Sequence, residues 1–210
     1  MYDVIIIGGG PAGITAGIYI KRAGFKVLII SKGEGALTRT EKIENYYGFE
    51  TPISGKELIE KGEKQAKNLG IELIKKEVIG IKYTESGFEV MVANQSKADK
   101  YVAKTVVIAT GVNRNKPNMK GLQEFEDDSS QKIDGVFIAQ GTAGCLEFAK
   151  KLGAKTENNN IVVNDEMQTS IENIYACGDC TGGILQISKA VYEGTKAGLV
   201  IINKLRRKEN

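Results

Sequence analysis

The sequence predicts an α/β fold: a parallel sheet flanked by helices, with an antiparallel meander attached. Three observations carry this. The β-branched run YDVIII, residues 2–7, leads through GGGPAG into a helical stretch and then a second apolar run, a βαβ pattern. Two later apolar runs each end in a small, tight turn, TVVIATG at 105–111 and TSIENIYACGD at 169–179. Ahead of both, Val78 to Thr84 and Gly87 to Ala93 alternate apolar and polar residues, as the strands of a half-buried hairpin do.

The 210 residues suffice for one large domain or two small ones, and 41% apolar with 26% charged residues can build a packed core. A net charge of +3, with no Lys/Arg block interleaved with aromatics, argues against nucleic acid as a partner. Asp3 stands where an export signal carries positive charge, and the run Val4 to Ile7 is too short for one. No stretch approaches the ~20 apolar residues of a membrane span. The expectation is a cytoplasmic protein without a membrane partner. Three cysteines, Cys145, Cys177 and Cys180, are a poor basis for a disulfide framework, and there is no histidine. A Ser-His-Asp or zinc hydrolase is therefore not expected, and no metal site is.

The elements follow in order. Tyr2 to Ile7 reads as a buried parallel strand. Pro11 suits the first turn of a helix, where its missing N–H costs nothing, and Gly24 closes that helix after Ala23. Phe25 to Ile30 is the second strand. Within this unit Gly8, Gly10 and Gly13 match G-x-G-x-x-G. Gly8 makes the tight turn, Gly10 lets the backbone approach a pyrophosphate, and Gly13 allows helix and strand to pack closely. The helix N-terminus then faces negative charge, so the unit reads as a Rossmann-like dinucleotide site. An acid normally follows about 20 residues on, bonded to the ribose. Ser31 occupies that place, and its hydroxyl can still bond a ribose, whereas Lys32 would favour a 2′-phosphate. The motif alone leaves FAD, NAD and NADP open.

Ser54-Gly55-Lys56-Glu57 is a capping-box pattern that opens a helix to about Leu69, closed by Gly70. Ile71 to Lys75 is a strand. The hairpin turns at Glu85-Ser86, and Tyr101 to Lys104 adds a third strand. Thr105 to Gly111 and Asp134 to Gly141 (DGVFIAQG) read as strands. Cys145 falls on an apolar helix position in GTAGCLEFAKKLG, an inert core residue. The last helix starts near Leu185 and ends in KLRRK, residues 204–208, a solvated terminus or a docking site for an acidic electron carrier.

Taken together and in this order, GGGPAG, TVVIATG and TSIENIYACGD resemble the Rossmann-like FAD-binding domain of two-dinucleotide-binding-domain flavoproteins. The hairpin and its third strand resemble the β-meander of that superfamily, which lies on the face opposite the helices. A narrower resemblance is to the low-molecular-weight bacterial thioredoxin reductases, and especially to clostridial, ferredoxin-dependent members. It rests on KGEGALTRTEKIENYYGF, residues 32–49, and on GDCTGGILQISKAVYEGTKAG, residues 178–198. The resemblance implies non-covalent FAD. It places Gly8, Gly10, Pro11, Ala12 and Gly13 at the diphosphate. Ser31, Lys32, Ala36, Leu37 and Val78 fall around the adenosine side, and Asn45 at the flavin. Ala109, Thr110 and Gly111 cover the cofactor, and Gly178-Asp179 brings a carboxylate to the ribityl chain. Gln186 and Ile187 open the final helix beside the flavin's pyrimidine edge, where a helix N-terminus stabilises negative charge. Family members are commonly homodimers through this domain, so a homodimer is expected here.

The family normally carries a second, pyridine-nucleotide domain with its own G-x-G-x-x-G/A and a redox-active CxxC. No second such motif occurs here, and Gly141-Thr142-Ala143-Gly144 lacks the spacing. The chain is therefore read as one FAD domain. Its two parts, 1–111 and 134–210, are joined by a short polar linker, 112–133, without an NAD(P)H site. Cys177-Gly178-Asp179-Cys180 remains as a candidate redox pair. Against it, its middle residues are committed to the FAD motif, and a turn follows instead of the helix N-terminus that lowers a thiolate pKa. Three functions compete. One is electron transfer through FAD with a separate partner, such as a ferredoxin. The second is a catalytically silent FAD-binding module. The third is a disulfide reductase using Cys177 and Cys180.

Overall fold

The computed structural model describes residues 1–33, 35–94, 98–112 and 145–209. The expected strand 134–141 and nearly all of the expected linker lie outside the described residues, as does the side chain of Cys145.

The parallel core holds five strands in the order β3-β2-β1-β6-β9: Glu72–Lys75, Val27–Ser31, Tyr2–Ile7, Asp99–Ile108 and Ile174–Ala176. Ile6 lies at the centre, in register with Ile29 on one side and Val107 on the other. Both faces of this sheet are covered, so its strands carry near-continuous apolar runs. The pleat then sorts them. Val4, Ile6, Val27, Ile29, Val107, Tyr175 and Cys177 face one cluster, and Ile5, Ile7, Leu28, Ile30, Val106, Ile108, Ile174 and Ala176 face the other.

Helices cover the first face. Helix α1 (Pro11–Arg22) packs along the long α4 (Ile187–Glu209), which starts two residues later than expected. The two backbones nearly touch, since a Cβ on Gly194 would lie 3.0 Å from the carbonyl carbon of Ala12. Helix α2 (Gly55–Asn68) begins as its capping pattern predicts. The Ser54 side chain accepts a hydrogen bond from the Glu57 N–H at 3.1 Å, while the Glu57 carboxylate pairs with Lys61 at 3.3 Å instead of turning back.

The meander covers the second face, as expected. Val78, Ile81, Phe88, Val90 and Val92, from β4 (Val78–Thr84) and β5 (Gly87–Val92), pack there. Two features differ from the expectation. First, Tyr101–Lys104 and the following apolar run are one ten-residue strand, β6. Its first half pairs antiparallel with β5 and its second half parallel with β1, with Ala103 in register with both Phe88 and Tyr2. No residue between 99 and 108 breaks the strand, so it passes from one layer into the next without a turn. Second, α3 (Cys145–Lys151) lies on the meander face and contributes Phe148 and Ala149. A small hairpin, β7 (Thr156–Glu157) and β8 (Asn160–Ile161), turns through Asn158 and Asn159, both at positive φ. Among the described residues, no helix is long and apolar enough to cross a membrane.

Candidate functional site

The C-terminal ends of β1, β6 and β9 meet at one edge of the sheet, where ligands of open α/β sheets bind. Backbone hydrogen bonds align them. The Gly8 N–H donates to Ile30 O at 2.8 Å, Ala109 N–H to Ile7 O at 2.8 Å, and Cys177 N–H to Ile108 O at 3.1 Å. The three predicted turns, Gly8 to Gly13, Ala109 to Gly111 and Gly178-Asp179, therefore stand side by side.

The glycine loop has the geometry its spacing predicts. Gly8 has φ +121°, and a Cβ there would come within 2.5 Å of the Ala109 carbonyl carbon. Gly13 presses on the same loop, its Cβ position 3.1 Å from the carbonyl carbon of Gly8. Gly10 differs: nothing lies within 4 Å of its Cβ position. It caps α1 with no side-chain hydrogen bond, and no acid occupies the first turn. The space beside Gly10 is thus open at the N-terminus of α1, the positive end of the helix dipole. This cradle fits a diphosphate. Gly178, on the neighbouring strand end, packs on the same turn of α1, its Cβ position 2.9 Å from the Ala12 Cβ.

Two expected flavin neighbours, 141 positions apart, are joined. The Asn45 side-chain amide donates to the Gln186 side-chain oxygen at 3.3 Å, tying the loop after the Ala36–Arg39 turn to the start of α4. Ala36, Asn45, Thr110 and Gln186 are exposed, while Leu37, Gly111 and Ile187 are half-buried, so these residues rim an open crevice. Beside it, a groove of about 350 Å³ is bounded by Pro11, Ile14, Tyr46, Phe49, Leu58 and Ile187. A depression of about 510 Å³ at the far end of α1, beside Arg22 and Lys64, lies away from the strand ends.

The adenosine corner differs in detail from the sequence reading. Ser31 is buried at 6% exposure, and its Oγ accepts from the Gly33 N–H at 3.3 Å. The same Oγ is 2.8 Å from the Cβ position of Gly9, so the hydroxyl is packed beneath the loop. Among the described residues, Lys32 and Glu77 form a charged pair at this rim, 2.8 Å apart and next to the buried Val78. Glu77 went unnoticed because it precedes β4 by one residue and reaches the corner only through strand pairing.

Cys177 and Cys180 are both fully buried. Cys177 belongs to the cluster on the helix face and Cys180 to the cluster on the meander face. The Cys180 thiol donates to Ile108 O at 3.4 Å and lies 3.3 Å from Cys177 O. Burial, with a smaller push from the Glu193 carboxylate and an opposing pull from Lys189, raises the Cys177 thiol to about 12. This is the opposite of what an attacking thiolate needs.

Two residues absent from the sequence reading hold the Gly178–Gly182 turn. The Glu193 carboxylate accepts from the Gly178 N–H at 2.8 Å, and Lys189, 3.1 Å from Glu193, donates to Gly178 O and Gly182 O. Their i, i+4 spacing signals a helical ion pair and gives no hint of the turn.

Comparison with known proteins agrees with this fold. The family model for the pyridine nucleotide-disulphide oxidoreductases matches residues 2–131 and 123–194. Thioredoxin reductase from Aquifex aeolicus is 41% identical over 127 residues, which are 60% of this chain and 38% of that protein. The Bacillus subtilis thioredoxin reductase is 40% identical over 127 residues, again 60% of this chain and 39% of that protein. The chain thus spans well under half the length of these curated relatives. Among solved structures, the atypical thioredoxin reductase of Desulfovibrio vulgaris Hildenborough superposes with a TM-score of 0.82 at 25% identity, covering 99% of both chains. A ferredoxin-flavin thioredoxin reductase of Clostridium acetobutylicum gives 0.76 at 26% identity, covering 98% of both. The fold is that of the Rossmann-like FAD-binding domain. The chain belongs to the pyridine nucleotide-disulphide oxidoreductase family, whose thioredoxin reductase-like, FAD-binding fold it carries.

Proposed function

We propose that this chain holds FAD non-covalently in the crevice at the ends of β1, β6 and β9, and that it exchanges electrons between FAD and a separate redox partner. Hydride uptake from NADPH within the chain is not part of this reading. The observation that carries it is the convergence of the glycine loop, the Ala109–Gly111 and Gly178-Asp179 turns and the Asn45–Gln186 bond around one open cradle. Bound FAD supplies two-electron and one-electron chemistry at its isoalloxazine.

The chain's own residues bind and orient. The N–H groups of Gly10, Ala12 and Gly13, at the start of α1, face the diphosphate. Lys32 and Glu77 stand at the adenosine ribose with Val78 beside the adenine, and Ala36 and Leu37 close the loop over this half. Asp179 offers its carboxylate to the ribityl hydroxyls, while Ala109, Thr110 and Gly111 cover the middle of the cofactor. Asn45, Gln186 and Ile187 meet the flavin ring, with the N-terminus of α4 aimed at its pyrimidine edge. Cys177 and Cys180 are core residues in this reading.

The presence of a single G-x-G-x-x-G supports an external donor, and the ferredoxin-flavin thioredoxin reductase among the structural neighbours makes an acidic iron–sulfur carrier the first candidate. The chain acts as one FAD domain, 1–111 and 134–210 joined by 112–133, in a cytoplasmic setting. It pairs as a homodimer, a role suited to the exposed Tyr192 and Leu199 on one face of α4.

The test is the visible spectrum of the purified protein, with bands near ~450 nm for bound flavin, followed by anaerobic titration. Bleaching by reduced ferredoxin but not by NADPH is expected. Bleaching by NADPH alone refutes the separate-donor reading. A flavin that neither donor reduces leaves the silent FAD module as the better account.

A further inference from the structure

We propose that Lys189 and Glu193 are positioning residues that set the shape of the Gly178–Gly182 turn, and through it the grip on the ribityl and flavin half of the cofactor. The inference rests on reading the crevice as an FAD site.

Both ends of this turn are glycines in conformations that other residues rarely take. Gly178 has φ +86° and ψ −156°, and Gly182 has φ +80° and ψ −159°. Asp179 lies between them in a single 3-10 turn, Asp179–Thr181. A chain segment bracketed by two such glycines has many alternative shapes, and something must select one.

The selecting contacts come from the first two turns of α4. Lys189 Nζ donates to Gly178 O at 2.9 Å, to Gly182 O at 2.6 Å and to Thr181 Oγ1 at 2.9 Å. All three of its donors end on the turn, two of them on the bracketing glycines. Glu193 Oε2 accepts from the Gly178 N–H, and the Thr181 hydroxyl lies 2.8 Å from both Glu193 Oε2 and Gly178 O, free to donate to one of them. The two side chains are 20% and 11% exposed. A charge pair this buried is a poor way to gain stability, because desolvation offsets the attraction. It is a good way to impose one geometry on whatever it touches. The pair also carries no net charge, so it fixes the turn without adding a net charge to the crevice.

Lys189 and Glu193 reach the Gly178 side of the crevice, while the diphosphate and adenosine side is built by the Gly8–Gly13 loop and the Lys32–Glu77 rim. The proposal therefore predicts a split between the two halves of FAD. ADP carries one half alone.

The experiment measures, for the apoprotein, the dissociation constant for FAD and the inhibition constant of ADP in competition with it. Wild type is compared with Glu193→Gln, Lys189→Met and Thr181→Val. The first two variants should each weaken FAD by roughly tenfold or more, since a buried charge partner is lost, while the ADP constant stays within about twofold. Thr181→Val keeps the ion pair and the volume and should fall between. It also serves if the charge variants do not fold. A fall of FAD and ADP affinity in proportion, tracking a lower melting temperature, means the pair is only structural and overturns the proposal. Unchanged FAD affinity in all folded variants overturns it too. If wild type takes up no FAD, the site reading itself fails and takes the proposal with it. If Asp179→Asn binds FAD normally while Glu193→Gln does not, the turn matters and the role given to Asp179 is the part that is wrong.

Discussion

Gly8 and Gly10 sit two residues apart in one loop, yet their replacement by alanine should have opposite consequences. At Gly8, φ +121° is a region in which a side chain costs about 1–3 kcal/mol. The new Cβ would also lie 2.5 Å from the Ala109 carbonyl carbon, and neither partner can withdraw easily. Gly8 is bonded to Ile30 O and Ala109 to Ile7 O, both at 2.8 Å. Overpacking adds about 1–3 kcal/mol. Gly8→Ala should thus destabilise the protein by about 2–6 kcal/mol, a large part of a typical domain's stability. At Gly10, φ is −81° and the Cβ position is empty for 4 Å around. Gly10→Ala should change stability by no more than about 1 kcal/mol, because the lost freedom of the unfolded chain is offset by alanine's poorer fit at the helix cap. Its methyl group nevertheless stands where the diphosphate must approach the first N–H groups of α1. Denying them their acceptor should cost about 1–3 kcal/mol, or roughly 5- to 150-fold in the FAD dissociation constant. Urea denaturation of the apoproteins measures the first quantity and FAD titration the second. A Gly10→Ala protein that binds FAD like wild type would refute the placement of the diphosphate. A Gly8→Ala protein of wild-type stability would refute the packing of the loop on β6.

Three further outcomes are expected. The Cys177 thiol, raised to about 12 from an ordinary 9.0, stays neutral in the folded protein where the unfolded chain ionises. Its contribution to stability is whole below about pH 9 and is lost as pH rises toward 12. Urea midpoints followed across that range should fall in wild type and fall less in Cys177→Ala, and native protein at pH 8 should leave Cys177 and Cys180 unlabelled by a thiol reagent until it is unfolded. Burial acts to raise the Asp3 carboxyl, but the bonds from Lys104 Nζ at 2.8 Å and the Lys26 N–H at 2.9 Å outweigh it and lower it below the ordinary 3.8. That stabilisation is present above pH 3.8 and disappears as pH falls through the lowered value, so Asp3→Asn should flatten the acid limb of a stability–pH curve; an unaltered limb would show that the bonds do not persist in solution. Sedimentation of Tyr192→Ser/Leu199→Ser should show weakened self-association with FAD binding retained, and an unchanged assembly state would remove this face of α4 from the dimer reading.

Local signals were legible wherever the cause lies within a few residues. YDVIII followed by glycine and proline specifies strand, turn and helix start through nearest-neighbour sterics. Ser54 caps α2 because its side chain needs only the N–H three residues on. The two hairpin strands were visible in their period-two alternation, and Asn158-Asn159 carried a turn signal, positive-φ tolerance, that was passed over. The tight packing at Gly8 and Gly13 and the open space at Gly10 followed from their spacing, because each answers to a close approach or an open space next to its own Cα.

Pairing could not be read in the same way. Ser31 looked available to a ribose, yet it is sealed beneath Gly9, and Glu77 arrives at that rim from the turn between β3 and β4. The motif Cys-x-x-Cys suggested two sulfurs together, but Cys177 is carried to one face of the sheet and Cys180 to the other. Lys189 and Glu193 announced a helix pair, and only the packing of α4 on α1 turned them onto the Gly178–Gly182 turn. By itself, the amino-acid order determined most of the strands and helices, and a glycine-rich turn between the first strand and the first helix. The tertiary structure alone decided what surrounds that loop. Backbone preference acts over a few residues, whereas the walls of the crevice come from positions 8, 45, 109, 178 and 186, which meet only when β1, β6 and β9 pair and both faces of the sheet are buried.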